Sequence, residues 1–269
     1  MTPQLLGILN ITADSFSDGG KYLATEAALA HGRNLIADGA AILDIGAAAS
    51  NPNAVAVPPD MEIARLAPVV AALQAEGVAL SIDSFAPAVQ RWALEQGIAY
   101  LNDIHGFAEP SLYPHLAASP AKLIVMHAVQ AAGRANADDI PPGTIFGRIL
   151  DFFEARLAAL TAAGIARDRL ILDPGMGMFL GRHAAASYEV LRRIAELKQA
   201  FALPVLISVS KKSFLRLGRA PAAAGAATLA AEIFAVWQGA DYIRTHDPAA
   251  LTDGIRVWNA ALSGNITSS

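Results

Sequence analysis

The chain contains no cysteine. That excludes a disulfide framework, a thiol nucleophile and a zinc site built on thiolates. Charge is also sparse: 16% of residues are Asp, Glu, Lys or Arg, and the net charge is −4. There is no basic excess to hold nucleic acid, and no basic run flanks an apolar helix to favour a membrane surface. No uninterrupted apolar run is long enough to span a bilayer. The richest segment, around Ala222–Trp237, contains Thr228 and Glu232 and reads as a buried helix. The opening Met1-Thr2-Pro3-Gln4 lacks the basic n-region of a signal peptide, so a cytoplasmic location is expected.

What is present is apolar and alternating. Of 269 residues, 54% are hydrophobic, enough for a large core. Short apolar runs, rich in β-branched residues, recur at Leu5–Leu9, Ala41–Ile45, Val78–Ile82, Ala99–Leu101, Lys122–Met126, Leu170–Leu172, Val205–Val209 and Tyr242–Ile243. Between most of them lie segments with helical spacing: Thr25–Ala37, Asp60–Ala75, Ala86–Glu95, Ile145–Ala163, Ser187–Ala202, Ala223–Gln238 and Pro248–Leu262. Strands alternating with helices imply a parallel sheet with crossover helices. Eight such units predict a single-domain (β/α)8 barrel over residues 1–269; a doubly wound open sheet is the alternative.

Nearly every predicted strand ends in a polar group. The first leads to Asn10, the second to Asp44 and then Ser50, and the third to Asp83. The fourth leads to Asn102-Asp103, the fifth to His127 and the sixth to Asp173. The last two lead to Ser210-Lys211-Lys212-Ser213 and Arg244-Thr245-His246. In a barrel these groups converge on one mouth, where ligands bind. Some have plainer readings. Asp44 sits in an apolar run and can satisfy backbone groups; Asp103 can cap a turn. His31, His105, His115 and His183 read as surface or loop residues.

Asp83, Asn102 and Asp173 offer acceptors and a carboxamide, and Lys212 offers a cation. That set suits a flat heterocycle with amidine-like donors and a carbonyl acceptor. Asn10, Arg244 and His246 come from the first and last strands, neighbours in a closed barrel. Together they can hold a phosphate with Mg2+, an ion that prefers oxygen ligands and keeps several waters. No Walker loop, Ser-His-Asp elbow or Cys/His zinc spacing occurs.

The motifs GILNITADSFSDGG, ILDIG, LSIDSF, YLNDIHGF, LIVMHAVQ, ILDPGMG, VSKKSF and IRTH, in this order, resemble those of the dihydropteroate synthase family. The resemblance runs from about Leu5 to Ala260. It implies a (β/α)8 barrel and a transferase of folate biosynthesis. Such an enzyme joins 6-hydroxymethyl-7,8-dihydropterin diphosphate to p-aminobenzoate, giving 7,8-dihydropteroate and pyrophosphate. It also implies that Asp83, Asn102, Met126, Asp173 and Lys212 hold the pterin, with Asp83, Asp173 and Lys212 as the catalytic set. Asn10, Arg244 and His246 would then handle the diphosphate, with Asn10 on Mg2+. Ser50, Ser213, Met178 and Phe179 would border p-aminobenzoate. A homodimer through the outer helices is also implied; Trp237 and Trp258 suit that or core packing.

Three departures from the family pattern stand out. Asn51 replaces an Arg in the second loop. Lys211 replaces an Arg, losing its planar fork. The sixth loop reads Gly177-Met178-Phe179-Leu180-Gly181-Arg182, where the family usually has Phe-Gly-Lys. These features resemble the sulfonamide-insensitive, acquired branch. The alternatives are a pterin-binding paralogue without activity and a pterin-dependent methyltransferase, which shares the Asp/Asn/Asp clamp but has no use for the diphosphate set.

Overall fold

The computed structural model describes residues 2–11, 21–48, 57–129, 140–216, 218, 220 and 224–263. Eight strands alternate with helices along the chain. The strands are β1 (Gln4–Asn10), β2 (Ile42–Gly46), β3 (Leu80–Asp83), β4 (Tyr100–Asp103), β5 (Lys122–Met126), β6 (Leu170–Asp173), β7 (Leu206–Ile207) and β8 (Tyr242–Thr245). All pairings are parallel, in the order β6-β5-β4-β3-β2-β1-β8-β7. A bridge between Leu172 and Val205 joins the two ends, so the sheet closes as a barrel and the open-sheet alternative falls.

The helices are α1 (Lys21–Ala37), α2 (Pro59–Ala75), α3 (Pro87–Glu95), α4 (Tyr113–Ala118), α5 (Ile145–Ala162), α6 (Ala184–Arg192), α7 (Ile194–Phe201), α8 (Gly225–Trp237) and α9 (Pro248–Ser263). Proline opens α2 and α3, where its missing N–H would be unbonded anyway. Gly39 shows how the helices stop. It takes φ +105, and the following Ala40 N–H bonds back to Leu35 O at 2.9 Å before β2 begins. The single helix expected over Ser187–Ala202 is in fact two, broken at Arg193 (φ −114, ψ 18). The break keeps Val190, Leu191, Ile194 and Leu197 on one buried side, so the periodicity did not reveal it. The Arg193 guanidinium lies 3.6 Å from the Phe146 ring centroid and pairs with Glu189 and Glu196.

The barrel interior is layered. Alternate strand residues point inward. Leu6, Ile42, Tyr100, Ile124, Ile171, Leu206 and Tyr242 form a buried apolar plug. Two residues further along those seven strands stand Ile8, Asp44, Asn102, Met126, Asp173, Ser208 and Arg244. One pleat therefore converts the plug into a polar floor. A second, larger core lies between the sheet and the helices. Trp237 is 58% exposed and Trp258 39% exposed, so neither packs in it. Among the described residues no helix is long and apolar enough to cross a membrane.

Candidate active site

A pocket of about 380 Å³, open mouth included, lies above this floor. Asp83, Asn102, Met126, Asp173, Ser208, Lys212 and Arg244 line it, together with Ile104, Met176 and Phe179. All five residues expected around the pterin are thus brought together. Ile104, Met126 and Phe179 make the apolar wall, backed by Phe85 and Ala128. Such a wall suits the face of a flat ring, and the floor suits its polar edge.

The anchor of the floor is Asp44. Read in the sequence as the end of a strand, it lies in the middle of β2 and is fully buried. Its Oδ2 accepts from Arg244 Nε at 2.5 Å and from Asn102 Nδ2 at 3.2 Å. Arg244 Nη2 donates to Asp83 Oδ2 at 2.7 Å. Arg244 was expected with the diphosphate. It lies in the pocket floor, because it stands one pleat above Tyr242 and faces two carboxylates. Asn102 Oδ1 is buried with no hydrogen-bond partner among the described residues.

The charges of the floor act on one another. Burial pushes Asp83 up to about 7; Arg244 opposes this, while Asp44 and Glu62 add to it. Burial pushes Asp173 up to about 6 against the Gly175 N–H, Lys212 and Arg244. Burial lowers Lys212 to about 8, with Arg244 adding and Asp173 and Asp83 opposing. Burial also works against the Arg244 charge, but Asp44 and Asp83 hold its pKa above the ordinary value.

The remaining expected residues fall around the rim. Asn10 is exposed at the end of β1, its Oδ1 beside Gly46. His246 Nδ1 lies 2.9 Å from Ser210 Oγ. Burial, then Lys211, Arg244 and Lys212, lower its pKa to about 4, so it is neutral at pH 7. Ser50, Asn51 and the polar segment 12–20 lie outside the described residues. The short 3-10 turn Gly177–Leu180 separates its two bulky residues. Phe179 turns into the pocket, whereas Met178 is 37% exposed and shares a neighbouring depression with Ser213, Arg182 and His183. Gly177, on the edge of that depression, faces the Lys212 stem, which a Cβ added there would meet at 3.5 Å, so the two spaces adjoin.

Other polar strand ends are structural. Asp103 accepts from Gln90 Nε2 and from the His105 and Phe107 N–H groups, which folds the turn after β4. His127 is buried, edge-on to Phe152, with Nδ1 3.1 Å from Pro174 O. The loop after β6 is held by Gly175, whose N–H donates to Asp173 Oδ1 at 2.8 Å. Sequence reading missed Ser208 and the central place of Asp44. The two-residue step from the apolar plug is the signal that finds both.

A model of the family described as "Pterin binding enzyme" matches residues 6–246. A dihydropteroate synthase type-2 from Escherichia coli is 57% identical over 94% of both chains. A type-3 enzyme from the same organism is 47% identical over 96% of this chain and 98% of its own. The structure of a Xanthomonas albilineans dihydropteroate synthase with 4-aminobenzoic acid superimposes with a TM-score of 0.87 at 34% identity, covering 97% of this chain and 93% of that one. With the family model spanning most of the barrel and the relatives nearly all of the sequence, the chain belongs to the pterin-binding enzymes, in the dihydropteroate synthase family.

Proposed function

We propose that this dihydropteroate synthase binds the dihydropterin in the pocket floor, its diphosphate at the β1/β8 rim and p-aminobenzoate beside Met178 and Ser213. The observation that carries this reading is the polar floor. It presents the Asp83 and Asp173 carboxylates, the unpartnered Asn102 carbonyl and the Lys212 ammonium around one flat, apolar-walled space. Acceptors on one side meet ring N–H and amino groups; the cation meets the ring oxygen or nitrogen.

The reaction breaks the bond between the pterin methylene and the diphosphate oxygen, whose electron pair leaves with pyrophosphate. The p-aminobenzoate nitrogen forms the new bond and loses a proton to solvent. The protein acts mainly by position and charge. Lys212 and the carboxylates fix the ring in plane. The Arg244 guanidinium, held by Asp44 and Asp83, would supply positive charge to stabilise the departing group. Neutral His246, oriented by Ser210, offers a hydrogen bond at the rim.

Mg2+ fits the donor set: Asn10 supplies a hard oxygen at the rim, and the substrate phosphates complete a shell that the protein alone does not. Among the described residues no three His, Asp or Glu side chains cluster to hold a metal. When bound, the ion would neutralise diphosphate charge. A homodimer through the outer helices accounts for the exposure of Trp237 and Trp258.

Reduced sulfonamide sensitivity is part of the proposal. Met178 stands exposed beside Ser213, where the portion of the drug that exceeds p-aminobenzoate would extend. The testing experiment is pyrophosphate release from the pterin diphosphate with Mg2+, with and without p-aminobenzoate, then with excess sulfamethoxazole. Release that requires p-aminobenzoate supports the reading, and its persistence with drug supports insensitivity. Pterin binding without release would leave a non-catalytic paralogue.

A further inference from the structure

We infer that Asp44, which stands outside the lining of this pocket, is the positioning residue that divides Arg244 from Asp83 and fixes the face that Asn102 shows to the pterin. The inference rests on the pterin reading of the pocket. A carboxylate oxygen only accepts. Its bond from Asn102 Nδ2 therefore forces the amide nitrogen down toward β2 and the carbonyl Oδ1 away from it. Oδ1 is buried and without a partner among the described residues, while Asn102 itself lines the pocket. Without Asp44 the amide could turn over and present a donor where a ring N–H needs an acceptor.

The same oxygen takes Arg244 Nε, so the guanidinium is shared between two carboxylates instead of closing on one. An undivided Arg244–Asp83 pair would compete with the ligand for Asp83. Asp83 is faced by Arg244 from β8, Asp44 from β2, Glu62 from α2 and Lys212 after β7. Loss of the Asp44 charge removes one like-charged neighbour and leaves Arg244 wholly to Asp83. Both changes favour the ionised form.

The test is calorimetric titration of 6-hydroxymethylpterin into the wild type, Asp44→Asn, Asn102→Ala and the double variant from pH 5 to 9. Binding by the wild type checks the pterin reading; its failure there would fault that reading and not the role of Asp44. With wild-type binding in hand, Asp44→Asn is expected to weaken affinity about tenfold or more. The acidic midpoint of binding should also move down. In the Asn102→Ala background the further loss should shrink, because one of the two groups Asp44 orients is gone. Asp44→Ser, which keeps an acceptor in a smaller volume, gives the same readouts should the Asn variant fail to fold. Equal losses in both backgrounds, or an unmoved midpoint, would overturn the inference.

Discussion

Lys212 Nζ stands 4.9 Å from the centroid of the Phe179 ring. The ring both walls the pocket and faces the cation, and it does so from the loop next to Met178. Two adjacent bulky residues thus serve two different spaces. A ring face attracts a partly desolvated ammonium by about 1 kcal/mol.

The two residues should therefore separate in kinetics. Phe179→Ala is expected to raise the KM for the pterin diphosphate several-fold and leave the ratio of sulfonamide Ki to p-aminobenzoate KM nearly unchanged. Met178→Ala should lower that ratio several-fold without changing the pterin KM. Steady-state kinetics with both substrates varied decides; one shared phenotype would show that the loop acts as a unit.

Pterin affinity should be bell-shaped in pH. Asp83 near 7 and Asp173 near 6 must be ionised to accept from the ring, so affinity falls on acidification through that range. Lys212 near 8 loses its charge above that value, which gives the alkaline limb. Lys212→Gln is expected to abolish the alkaline limb. A flat profile from pH 5 to 9 would contradict the assignment.

Gly175→Ala should be severe. Gly175 has φ +74, and an added Cβ would lie 2.4 Å from the His127 carbonyl oxygen, a backbone atom that cannot step aside. The loop would have to move, taking with it the N–H that holds Asp173. A loss of about 2–4 kcal/mol is expected, on the scale of forced backbone strain and overpacking. Thermal unfolding together with pterin titration measures it.

Glu232→Gln should stabilise the protein, and more so at alkaline pH. Glu232 is buried on α8; burial raises its pKa to about 8, with Asp247 adding and a bond to Thr245 opposing. The raised folded value means the neutral acid favours the native state at low pH. That benefit is lost as pH climbs from about 4.5 through about 8. Gln never ionises. At pH 8 it should raise Tm by several degrees, and at pH 4 change it hardly at all. Tm followed against pH checks the sign.

The barrel was legible because the strands are short apolar runs and most of the helices close on a Gly or open on a Pro. The same runs also placed Asp83, Asn102, Asp173 and Lys212 at one mouth. What could not be read was the partner of each charge. Arg244 lies 200 residues from Asp44, and only barrel closure puts them in contact. The direction of Met178 and Phe179 was hidden too, because a 3-10 turn of four residues leaves no periodicity to detect. The break at Arg193 escaped because it preserved the buried stripe.

Seven of the eight strand junctions are ladders; among the described residues the β6–β7 junction is the bridge Leu172–Val205, with one N–H bond from Leu172 to Pro204 O at 2.9 Å. Pro204 has no N–H of its own to extend it. On either side of this junction stand Asp173, at the end of β6, and Lys212, just beyond β7. Among the described residues the cylinder is therefore least cross-linked between an anion and a cation that line the same pocket. Opening at that one junction is expected to widen the pocket without unwinding the rest of the sheet.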